Sequence, residues 1–85
     1  MATWNGLLKL ALEKNGETMS SLVYSTLSQE EGDLVFDDDF GYQEGVKFTA
    51  WTEQRVYFPA VFDGREWVAS VPRNPCDERT AHIGC

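Results

Sequence analysis

The sequence predicts an α+β domain in which two N-terminal helices pack on an antiparallel meander of three to four strands. Three observations carry this. The runs VKFTAWT, RVYFPAVF and REWVASV between residues 46 and 71 alternate with period two, the spacing of half-buried strands. Asp63-Gly64 separates the last two runs, and Asp-Gly is a preferred type I′ hairpin turn. Residues 5–31 instead place apolar residues three and four apart, as amphipathic helices do.

The elements follow in order. Leu7, Leu8, Ala11 and Leu12 lie in a segment rich in Leu, Lys, Ala and Glu, all good helix formers. Asn5 is a candidate N-cap and Gly16 a candidate C′ residue. Met19, Leu22, Val23, Thr26 and Leu27 continue the helical spacing after Thr18 and predict a second helix. A rival reading makes the domain mostly β: Asn15-Gly16 is itself a hairpin signal, and would pair Leu12 with Met19 and Leu8 with Val23. Leu34-Val35-Phe36 reads as a short strand or buried link. In the meander, a turn at Asp63-Gly64 sets Ala60 opposite Trp67, Phe58 opposite Ala69 and Val56 opposite Val71. A three-residue turn at Thr52–Gln54 sets Phe48 opposite Phe58 and Ala50 opposite Val56. The core face expected from both turns is Val46, Phe48, Ala50, Val56, Phe58, Ala60, Phe62, Trp67, Ala69 and Val71. Pro59, within the middle strand, calls for a bulge or an unpaired position. Residues 73–85 hold Pro75, four charged residues and little apolar content, so the domain is expected over 1–72 and a loosely ordered tail beyond it.

Composition narrows the function. At 85 residues, 42% hydrophobic and 13% aromatic, the chain has material for one core and is too apolar for disorder. Residues 1–46 carry nine acids against Lys9 and Lys14, whereas residues 47–85 balance five against five. All of the −7 net charge therefore sits in the first half, which argues against non-specific binding of nucleic acid or anionic lipid. The N-terminal stretch lacks the features of a secretory signal, and no apolar run reaches the ~20 residues of a membrane span. A cytoplasmic location is expected, with Cys76 and Cys85 as free thiols.

Tests for chemistry return little. An EF-hand loop begun at Asp33 puts Glu44 at position 12 but Val35 at 3, and one begun at Asp37 ends on Phe48; both fail the ligand spacing. Cys76, His82 and Cys85, with Asp77, lack any C-x₂₋₄-C knuckle. The one histidine, His82, has no nucleophile motif near it, and no phosphate-cradling glycine loop is present. No enzymatic activity, cofactor or metal is expected. The other face of the meander, with Lys47, Thr49, Trp51, Arg55, Tyr57, Val61 and Val68, mixes aromatic and basic residues as nucleic-acid-binding sheets do. Against the net charge, a face covered by the helices or by another subunit is the preferred reading.

The distinctive stretch is QEEGDLVFDDDFGYQEG, residues 29–45. It holds Glu30, Glu31, Asp33, Asp37, Asp38, Asp39 and Glu44 and no Lys or Arg. Leu34, Val35, Phe36, Phe40 and Tyr42 are interleaved as apolar anchors. Extended at ~3.3 Å per residue, the stretch would carry about one charge per 8 Å, far below the one per ~1.7 Å of duplex DNA; imitation of nucleic acid requires it to fold back in fixed positions. Glu30 and Glu31 would also stand at the C-terminal pole of the second helix, costing ~0.3–1 kcal/mol each. Local rules broken in this way tend to mark function.

A small, acidic protein without a catalytic set resembles, in overall type, the phage-encoded anti-CRISPR and DNA-mimic inhibitors. The resemblance implies a large basic nucleic-acid-binding host protein or complex as partner, blocked by steric occupancy in the host cytoplasm. It transfers no individual residue. The expected binding residues are the seven carboxylates with Phe40 and Tyr42, in a monomer or homodimer that touches neither nucleic acid nor membrane directly. The alternative is a small accessory interaction module, dimeric through its outer sheet face, whose acids only solvate it.

Overall fold

The computed structural model describes residues 2–37 and 45–83. These form α1 (Trp4–Lys14), β1 (Tyr24–Ser25), α2 (Gln29–Asp33), β2 (Ala50–Trp51), β3 (Arg55–Phe62) and β4 (Arg65–Pro72), with one 3₁₀ turn at Met19–Ser21. The strands make an antiparallel sheet in the order β1-β2-β3-β4. The class is α+β, as the sequence predicts, and the N-terminal hairpin of the rival reading does not form.

Asp63 and Gly64 take φ of 53° and 79°, the paired positive values of a type I′ turn. The predicted β3–β4 register follows, with Val56 opposite Val71, Phe58 opposite Ala69 and Ala60 opposite Trp67. No bulge interrupts it at Pro59, which pairs with Val68. The reason is the alternation of antiparallel ladders. Counting from the turn, and in agreement with the Arg73 N–H donating to the Gln54 carbonyl, Pro59 falls at a non-hydrogen-bonded position. Its nitrogen faces the β2 side, where β2 reaches only Val56 and Tyr57. No ladder bond is lost.

The β2–β3 turn differs from expectation, and the difference inverts the sheet. Ala50 pairs with Tyr57 and Trp51 with Val56, one position away from the predicted Ala50–Val56 pair. The Thr52 hydroxyl accepts from the N–H groups of Gln54 (3.2 Å) and Arg55 (2.9 Å), a side-chain turn motif of the Ser/Thr type. It closes the turn on Glu53-Gln54 alone, with the Thr52 N–H donating to the Arg55 carbonyl. Because side chains alternate, a one-residue change of turn length exchanges the faces. The core face against α1 is thus Phe48, Ala50, Tyr57 and Val68. Val56, Phe58, Phe62, Trp67 and Val71, expected inside, lie on the opposite face. Tyr57 and Val68, expected outside, are buried.

Helix α1 is capped by the Thr3 hydroxyl, which accepts from the Gly6 N–H, rather than by Asn5. It ends as predicted on Gly16, at φ 73°, with Glu17 N–H donating to Leu12 and Gly16 N–H to Glu13, a Schellman closure. Trp4, Leu8, Ala11 and Leu12 face the core. The second helix expected over 18–27 does not exist. Ser and Thr side chains there compete for the backbone: Ser21 Oγ accepts from Thr18 N–H, Ser25 Oγ from Leu27 N–H and Thr26 Oγ1 from Thr49 N–H. Met19 and Val23 are exposed. Leu22 and Leu27 still pack on the core. The second helix lies later, at α2, and packs on α1 rather than on the sheet.

After Pro72 the described residues have no regular structure and are exposed. Local bonds nonetheless anchor the start of this tail: Asn74 Nδ2 donates to the Glu53 carbonyl, and Arg55 makes a bidentate pair with Glu78 at 3.0 and 3.1 Å.

Candidate functional site

Ser28 opens α2. Its hydroxyl accepts from the Glu31 N–H at 3.1 Å, and Glu31 Oε1 accepts from the Ser28 N–H at 3.0 Å, a reciprocal capping box. Glu30 and Glu31 therefore stand in the first turn of a helix, the favourable pole for negative charge. The expectation that they sit at a helix C-terminus is corrected, and with it the inference drawn from a broken rule.

Asp33 closes the same helix. Its Oδ1 accepts from Asn5 Nδ2 and its Oδ2 from Gln29 Nε2, both at 2.8 Å. These bonds, Asn5 foremost, hold its carboxyl below the ordinary aspartate range, because they favour the charged form. Gly32 is buried against the Asn5 side chain, where a Cβ would clash. Glu30, Glu31 and Asp33 are thus exposed on a short helix pinned to the start of α1.

The rest of the acidic stretch is reached through its flanks. Phe36 exchanges backbone bonds with Ala2, at 2.8 and 2.9 Å. Its ring lies 4.7 Å from that of Trp4. On the far side, Trp4 Nε1 donates to the Val46 carbonyl at 3.0 Å, and a Cβ on Gly45 would collide with the indole. The Gly45 N–H donates to the buried Glu66 carboxylate. Both flanks of the stretch therefore meet on Trp4. Asp37 is half-buried just after Phe36; Asp38, Asp39, Phe40, Tyr42 and Glu44 lie outside the described residues.

Other polar groups have structural work. Tyr57, fully buried, donates its hydroxyl to Glu17 Oε1, while Asn15 Nδ2 donates to the Tyr57 oxygen at 3.3 Å. Burial first, and the bond to Glu17 second, push the Tyr57 hydroxyl up to about 12. The bidentate bond to Arg55 lowers the Glu78 carboxyl and raises the Arg55 guanidinium. Cys76 and His82 are exposed on the tail, and Cys85 is outside the described residues.

The sheet face turned away from α1 is the feature that the sequence reading assigned to the core. Tyr24 and Trp51 stack across β1 and β2, ring centroids 5.6 Å apart, and continue into Val56, Phe58 and Phe62 of β3 and Trp67 of β4 by the pairing register. Tyr24 is 65% and Phe62 54% exposed. With Tyr57 buried on the other side, the aromatic and basic platform expected for a nucleic-acid-binding sheet is not assembled.

Comparison with family models, curated proteins and solved structures finds no match. Among the described residues no helix is long and apolar enough to cross a membrane.

Proposed function

We propose that this chain is a non-enzymatic binding protein that sterically inhibits a basic nucleic-acid-binding protein or complex, in the manner of the anti-CRISPR and DNA-mimic class it resembles. The observation that carries the reading is the fixed placement of Glu30, Glu31 and Asp33 on α2. From Glu30 to Asp33 the helix rises about 4.5 Å, so three carboxylates fall at about one per 2 Å of axis. Duplex DNA carries one per ~1.7 Å. Over that turn the helix supplies the charge density that an extended loop lacks. No Lys or Arg lies between Lys14 and Lys47 to offset it.

Such a surface steers a basic partner into encounter and repels acidic ones. Side chains held by existing bonds also lose little entropy on binding. The test is capture from a lysate of the cell in which the protein acts, with duplex DNA as competitor. Glu30→Lys combined with Asp38→Lys and Asp39→Lys should weaken capture on the order of 100-fold, at about 1.4 kcal/mol per tenfold. It leaves Glu31 and Asp33 to hold the helix. Wild-type capture should fall with rising salt and with added DNA. Undiminished capture by the triple variant would remove the reading.

A further inference from the structure

We infer that the open sheet face is a self-association surface, taking a second copy of this chain face to face. Helix α1 covers one side of the sheet and α2 packs on α1. The Arg55–Glu78 pair and the Arg55–Ser70 bond place the start of the tail on the α1 side as well. On the other side lie Tyr24, Trp51, Val56, Phe58, Phe62 and Trp67; of these, Trp67 on the outer strand also borders a cavity with Leu7, Leu10, Ala11 and Lys14 of α1.

Two arguments choose a second copy as occupant. The first is charge. Of fourteen acids in the chain, none falls at a strand position of this face, where Arg65 alone is charged. The strands of two molecules of net charge −7 can therefore meet here without bringing carboxylates of their own together. A basic partner, drawn to the acids of α2, finds no ion-pairing group on this face.

The second is area and shape. Exposed to more than half, Tyr24 and Phe62 each leave on the order of 100 Å² of surface open, since an aromatic side chain covers about 150–250 Å² when buried. With the half-buried Trp51, Val56, Phe58 and Trp67, one copy offers roughly 500 Å² and two copies roughly 1,000 Å², the threshold for a specific interface. The face also carries relief: the prominent Phe62 stands beside the buried Ala60, and the buried Ala69 lies farther along the sheet opposite Phe58. A twofold axis matches raised and sunken positions reciprocally, as in the inner faces of a β-sandwich about 10 Å apart.

An area at that threshold belongs with weak, transient interfaces. Sedimentation velocity from about 1 µM to 1 mM should show the wild type passing from its 9.6 kDa monomer to twice that mass. Tyr24→Asp and Phe62→Asp, both at exposed positions, should each weaken dimerisation at least about tenfold while keeping the wild-type circular dichroism. In the unsubstituted protein, tryptophan emission should shift to the blue with concentration as Trp51 and Trp67 lose water. The triple lysine variant of the acidic stretch should dimerise like wild type, which separates this inference from the inhibitor reading. A mass of 9.6 kDa at every concentration would overturn it, leaving the face to a foreign protein. So would a larger oligomer, or dimers unaffected by either aspartate.

Discussion

Thr52 is fully buried, and its hydroxyl accepts from two successive backbone N–H groups while lying 3.3 Å from Glu17 Oε1. Replacing it by valine keeps the shape and strands those donors. Thr52→Val should cost about 2–3 kcal/mol in urea unfolding, as expected when buried partners lose a bond, and Thr52→Ser should recover most of it. Tyr57 offers a second test, through pH. Its hydroxyl ionises near the ordinary 10 in the unfolded chain and at about 12 in the fold. The folded state therefore holds its proton longer, so this contribution is complete below pH 10 and lost as pH rises from 10 to 12. Tyr57→Phe should cost about 1–2 kcal/mol at neutral pH. It should also flatten the fall in stability between pH 9 and 11.5, measured by denaturation at each pH, since the variant has no proton to release. A decline as steep as wild type would contradict the assignment.

At the scale of elements, the sequence was readable where one residue pair dictates one backbone geometry. Asp63-Gly64 specified its turn and the whole β3–β4 register, and Gly16 marked the end of α1. It was not readable where two patterns were equally apolar. Both faces of the meander carry large hydrophobic residues, so alternation showed that strands exist without showing which side faces the helix. That choice rested on a single hydroxyl closing a shorter turn. Helical spacing over 18–27 was accidental, overridden by Ser and Thr side chains that satisfy the backbone locally. For α2 a signal was present and missed. Ser28 followed three residues later by Glu31 is a capping box in the sequence itself, and it turns two of the candidate binding residues into parts of a helix start. Asp33 was named from its charge; that Asn5 holds it depends on a contact across 28 positions, which no local pattern encodes.

The whole molecule separates its surfaces by character. Carboxylates gather on α2, which packs on α1, while the sheet turns an apolar face the other way. The proposed partner capture through α2 and the proposed self-association through the sheet thereby fall on different sides, so each can be tested by substitutions away from the other. The same separation gives Pro59 a second meaning. Beyond Tyr57, β3 has no ladder partner on its β2 side among the described residues, although Gly45, Val46 and Lys47 border a cavity with Pro59, Ala60 and Val61; an unpaired strand edge is of the kind that recruits further strands into fibres. Proline removes the donor that a templated strand would need. Pro59→Thr should retain the native fold yet accelerate thioflavin-positive aggregation on prolonged incubation, with the soluble fraction falling severalfold. Pro59 thus denies a templated strand its donor at this edge, and the open face is left as the surface of the proposed two-copy contact.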